Sequence, residues 1–125
     1  MRKRARLKVF VVDEDLVVTG TLTAILNKKG YDAMPYTSPT EAWKAADAMR
    51  PHLIIINVSM REMSGFDLSK RVLEMVPTCR ILLVSKCPVD SGVIDLFARR
   101  SFEFFLLSKP IRPRDLLTAI KGLHD

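Results

Sequence analysis

Four short apolar runs in this chain each end in a group able to do chemistry. Leu7 to Val12 leads into Asp13 and Glu14, Leu53 to Ile56 into Asn57, Ile81 to Val84 into Ser85, and Phe104 to Leu107 into Ser108 and Lys109. If the runs are neighbouring parallel strands, these groups meet in one crevice at the strands' carboxyl ends, where open α/β sheets place their sites. Two acids, a hydroxyl and a lysine around one point suit a divalent cation and a phosphoryl group. The centre of such a site calls for a nucleophilic carboxylate. Asn57 stands there instead, and an amide is uncharged and a poor nucleophile.

The elements that must position these groups alternate strand and helix five times. The first run has little polar interruption, as a strand buried on both faces requires. A helix over 16–29 carries Val18, Leu22, Ile25 and Leu26 on one face. Lys28 and Lys29 suit its C-terminal dipole, and Gly30 its C′ position. A short strand over 31–36 follows. Ser38-Pro39-Thr40-Glu41 reads as a capping box with proline at N1. It opens a helix bearing Ala42, Trp43, Ala45, Ala46 and Met49, limited by Pro51. Ser64 caps a helix over 65–75 with Leu68, Val72 and Leu73 inward. A fourth helix is expected from Asp90 or Ser91 to Arg100. The last, beyond Pro110 and Pro113, bears Leu116, Leu117, Ile120 and Leu123. Such spacing implies right-handed crossovers and a parallel sheet covered on both faces.

At 125 residues the chain is read as one domain over 1–125, with a basic tail at 1–6. No apolar stretch approaches the roughly 18 residues that span a membrane, and no signal-type core follows the charged N-terminus. Cys79 and Cys87 lack metal-type or redox-type spacing and are read as reduced thiols of a cytoplasmic protein. Net charge is +6, and five of the seven residues from Arg2 to Lys8 are basic. A basic tail without interleaved aromatics reads as solvated surface, so nucleic-acid binding is not assigned to this domain itself. Trp43, Met60 and Met63 read as packing, and His52 and His124 as surface residues.

Taken together, the chain resembles the receiver domain of two-component response regulators, over nearly its whole length. Val11-Val12-Asp13-Glu14-Asp15 looks like the family's acidic-pair motif. The segment from Leu53 through Asn57 to Gly65 looks like the phosphoacceptor strand and its loop. Ser85 sits at the family's threonine or serine, and Lys109-Pro110 looks like its lysine and proline. The resemblance implies a flavodoxin-like (βα)5 three-layer sandwich with parallel strand order 2-1-3-4-5. It implies a cation held by Asp13, Glu14, position 57 and the Ser59 carbonyl, and a phosphoryl group held by Ser85 and Lys109. It also implies an aromatic switch at Phe105, and a contact surface on the fourth helix, fifth strand and last helix that includes Arg99, Arg100, Phe102 and Arg112.

Four departures bear on that implication. Asn57 replaces the acceptor aspartate, so acyl phosphate should not form there. No cofactor is then required, and Mg2+ is expected to bind weakly because one negative charge is gone. Arg61 replaces the usual proline in the following loop and brings a positive charge to the pocket. Ser101-Phe102 replaces Gly-Ala. The fifth run is one residue too long, so Leu106 competes with Phe105 for the switch position unless a β-bulge precedes Lys109. Asp13 and Glu14 could equally cap a loop or balance Lys109, and Ser85 could bond Asn57 or backbone.

The expected function is a phosphorylation-independent pseudo-receiver of a two-component system or phosphorelay, acting by protein contact without catalytic residues. Its partner would be a histidine kinase, an attached output domain or a second copy, with no membrane involved. The alternative is a phosphorylatable receiver that carries an engineered Asp→Asn substitution at 57 and regulates a DNA-binding output domain.

Overall fold

The computed structural model describes residues 6–85, 104–108 and 111–124, with the side chains of 104–108 and 123–124 left aside. In chain order these are β1 (Lys8–Val12), α1 (Leu16–Lys28), β2 (Asp32–Tyr36), α2 (Pro39–Met49), β3 (Leu53–Asn57), α3 (Gly65–Met75), β4 (Arg80–Ser85), β5 (Phe104–Ser108) and α4 (Pro113–His124). The sheet order is β2-β1-β3-β4-β5, and every pair is parallel. This is the order expected of the flavodoxin-like fold. The helix expected over 90–100 lies outside the described residues.

Strand periodicity divides the core in two. Side chains alternate faces along a strand. Val9, Val11, Leu53, Ile55, Leu82 and Val84 pack with Leu22 and Leu26 of α1 and Leu116 and Ile120 of α4. Phe10, Val12, Ile54, Ile56, Ile81 and Leu83 pack with Ala42 and Ala46 of α2 and Leu68 and Val72 of α3. Both faces of the central strands are dry, which is why their sequence runs almost without polar interruption. Trp43, Met60 and Met63 join the second core as partly buried packing, as read from the sequence.

Helix ends follow the sequence signals. Asp15 accepts from Val17 N at 2.9 Å as the N-cap of α1, and Gly30 follows at φ 95. Ser64 Oγ accepts from Asp67 N at 3.1 Å. Arg50 takes the left-handed position after α2 (φ 50) where glycine would be easier, and its Nη2 donates to Met75 O at the end of α3. His52 is exposed, as expected, and its Nδ1 accepts from Lys8 N.

The β2 edge is closed to further strands. Asn27 of α1 accepts from Ala33 N through Oδ1 (2.8 Å) and donates from Nδ2 to Ala33 O (3.3 Å). Its amide thus takes the backbone groups that a sixth strand would use. Two residues on, Pro35 has no N–H to offer on that edge.

The fifth run pairs regularly where it is described. The β4–β5 register is continuous from Ile81↔Phe104 to Ser85↔Ser108, so no bulge falls within Phe104–Ser108.

Candidate functional site

The carboxyl ends of β1, β3 and β4 bring Asp13, Asn57 and Ser85 to one rim of the sheet. The pairs Val12↔Ile56 and Asn57↔Val84 set the three ends level. Val58 N donates to Val84 O (2.8 Å) and extends the β3–β4 pairing one step past Asn57. Asp13 and Ser85 are buried, Asn57 is half-buried, and Glu14 and Ser59 are exposed. A cleft of about 980 Å³ opens here, with Asp13, Glu14, Asn57 and Arg61 on its polar side and Val17, Leu22 and Ile111 on its apolar side.

Local hydrogen bonds hold each polar group. Asp13 Oδ1 accepts from Asp15 N at 2.9 Å, the loop-capping role read from the sequence. Glu14 Oε1 accepts from the backbone N–H of Arg61 at 2.8 Å. Asn57 donates from Nδ2 to Ser59 O at 2.9 Å. A carbonyl oxygen only accepts, so the NH2 group of Asn57 must be the one that faces it.

The loop between β3 and α3 is anchored at its far side as well. Gly65 N donates to Val58 O at 2.8 Å. Glu62 reaches the N-terminus of α2, where it accepts from Thr40 N (3.1 Å), from the Thr40 hydroxyl and from Ser38 Oγ (3.2 Å). Sequence reasoning assigned that capping role to Glu41. Ser38 Oγ does accept from Glu41 N (3.3 Å), but Glu62 is the acid on Ser38 and Thr40. Helix N-termini favour anions. The Thr40 hydroxyl, followed by the Thr40 N–H and the Ser38 hydroxyl, holds the Glu62 carboxyl below its ordinary range.

A depressed carboxylate pKa means that this contact is fully present above the ordinary carboxylate pKa and lost as pH falls through the lowered one. The Thr40 amide resonance should therefore titrate at a pH below the usual glutamate range, and Glu62→Ala should abolish that titration. An unchanged Thr40 titration in the variant would remove Glu62 from the contact.

Among the described residues no group of three or more His, Cys, Asp or Glu side chains is placed to hold a metal. Lys109 and the side chain of Phe105 lie outside the described residues, as do Arg99, Arg100 and Phe102. Arg112 is exposed just ahead of α4, and its carbonyl accepts from Leu116 N.

The response regulator receiver domain family matches residues 9–121. The chain belongs to that family. It is 25% identical to chemotaxis protein CheY of Thermotoga maritima, over 90% of this chain and 93% of that protein. Protein-glutamate methylesterase/protein-glutamine glutaminase 1 of Syntrophus aciditrophicus is 31% identical over 95% of this chain and 37% of its own length. DNA-binding response regulator MtrA of Mycobacterium tuberculosis is 26% identical over 94% and 50%. This receiver thus spans about half of MtrA and little more than a third of the methylesterase. The structure of chemotaxis protein CheY4 of Vibrio cholerae superposes with a TM-score of 0.85 at 25% identity, covering 95% of this chain and 99% of that one.

Receivers are signalling modules that work with histidine kinases and output domains. The family implies a divalent cation at this rim, and the residues present do not fit one. One oxygen of Glu14, one of Asp13 and the Ser59 carbonyl each already accept an N–H, and position 57 offers a neutral amide. Hard cations need several anionic or carbonyl oxygens turned towards them.

Proposed function

We propose that this receiver is a phosphorylation-independent pseudo-receiver of a two-component system or phosphorelay. The observation that carries the reading is the Asn57 amide at the end of β3, with its NH2 committed to Ser59 O. Acyl phosphate formation needs an anionic oxygen to attack phosphorus, and Asn57 presents none. The chain then acts by contact and not by turnover. The balance between its signalling conformations is set by its own sequence, because no phosphoryl ligand biases it at position 57.

The proposed partner is a histidine kinase, an output domain or a second copy. The proposed meeting surface is the one the family resemblance implies, with Arg99, Arg100, Phe102 and Arg112 as its candidate residues; of these, Arg112 lies among the described residues, exposed ahead of α4. The proposed location is the cytoplasm. In support, no described helix is long and apolar enough to cross a membrane. MtrA is named as DNA-binding and extends beyond the part this chain matches, so a DNA-binding output domain is one candidate partner.

The test is mass spectrometry after incubation with acetyl phosphate and Mg2+. No gain of about 80 Da is expected on the peptide spanning Leu53 to Arg61. Such a gain would overturn the reading. Asn57→Asp run alongside shows whether a carboxylate alone restores transfer, as the alternative of a single engineered substitution requires.

A further inference from the structure

Two departures from the family pattern each add an N–H donor at this rim, and each donor meets an oxygen of the cation-binding set. An amide at 57 has an NH2 where a carboxylate has none, and it donates to Ser59 O at 2.9 Å. A residue other than proline at 61 has a backbone N–H where proline has none, and it donates to Glu14 Oε1 at 2.8 Å. The Arg61 bond links residues 47 apart in sequence, joining the end of β1 to the loop after β3.

We propose that the Asn57 amide and the Arg61 backbone N–H together replace the divalent cation, as a built-in clamp that fixes the 57–65 loop to β1 without metal. The proposal rests on the reading of position 57 given above and deepens it. A divalent cation in this position would do two jobs: neutralise neighbouring carboxylates and tie the acceptor loop to the first strand. Asn57 removes the first need, since two acids at the rim repel less than three. Arg61 N–H performs the second, and Asn57 Nδ2–H pins the start of the same loop to the end of β3. The Gly65 N–H on Val58 O and the Glu62 carboxylate on α2 hold the rest of the loop. The donor on Glu14 is the backbone of residue 61. The positive charge that the Arg61 side chain brings to the pocket is not what makes this bond.

That distinction supplies the test. Arg61→Ala removes the charge and keeps the donor, whereas Arg61→Pro removes both. Amide NMR of the whole chain titrated with MgCl2 should show no saturable shifts at 13, 14 or 57–61 in the wild type. Asn57→Asp/Arg61→Pro should bind Mg2+ about tenfold or more tighter than Asn57→Asp/Arg61→Ala. Saturable Mg2+ binding by the wild type at these residues would overturn the clamp. So would equal affinity of the two double variants, which would show that the Arg61 N–H does not compete with the cation. Should the proline variants not fold, hydrogen exchange on the wild type decides. The Arg61 amide, although on an exposed residue, should exchange at least about tenfold slower than in Glu14→Ala, and equal rates would sink the proposal. Phosphoryl transfer is read separately by mass, so loss of the clamp and loss of the functional reading give different results.

Discussion

Gly65→Ala is expected to cost roughly 3 kcal/mol and to displace the loop that follows Asn57. A Cβ at Gly65 would lie 2.5 Å from the backbone oxygen of Asn57, 2.9 Å from Ile56 Cγ2 and 2.9 Å from Val58 Cα. Two of these three atoms are backbone and cannot rotate away, so either α3 or the end of β3 must move. For a domain of this size that loss corresponds to about 10 °C in Tm. Urea denaturation gives the energy, and amide shifts at 57–61 give the displacement. Gly20→Ala is the control. A Cβ there meets nothing within 4 Å, and α1 should gain about 0.5–1 kcal/mol. Equal effects at the two glycines would mean that the close approach at Gly65 is not what matters.

Alkaline pH should destabilise the receiver through Cys79. The residue is buried between α3 and β4, and burial pushes its thiol up to about 12 from an ordinary value of 9.0. The fold favours the neutral thiol. Its contribution is therefore fully present below the ordinary thiol pKa and is lost as pH rises from about 9 towards 12. Within that window the slope is roughly 1.4 kcal/mol per pH unit. Unfolding free energies of wild type and Cys79→Ala, measured from pH 8 to about pH 11, should diverge in slope by this amount. Parallel curves would remove Cys79 from the alkaline transition. The same burial should leave Cys79 slow to alkylate at neutral pH, because the thiolate is the nucleophile.

The sheet and its order were legible because the chain writes them redundantly. Leu53 to Ile56 is apolar at every position, and only a strand covered on both faces tolerates that. Ser38 and Ser64 mark helix starts by type and position, and each caps as read; Asp15 caps α1 without having been singled out for it. What could not be read were contacts that depend on how loops lie across one another. Glu62 sits 22 residues from Thr40, and nothing in its neighbours signals a meeting at the start of α2. Arg61 was noticed for its side-chain charge, while its main chain makes the bond to Glu14. The absence of proline there was a usable signal, because it restores a donor. The count of the fifth run left a bulge before Lys109 open, and β5 pairs regularly through Ser108. An extra residue can lengthen a ladder as readily as kink it, and β4 has a matching partner in Ser85.

The amide of Asn27 and the ring of Pro35 have a consequence for crowding. Signalling proteins gathered in arrays reach high local concentrations, where bare sheet margins template fibrils. Here that margin is sealed twice, by a side chain mimicking a peptide unit and by an imino acid with no hydrogen to give. Many copies can therefore gather side by side without zipping into cross-β polymer along β2, and a single lesion at either position leaves the other seal standing.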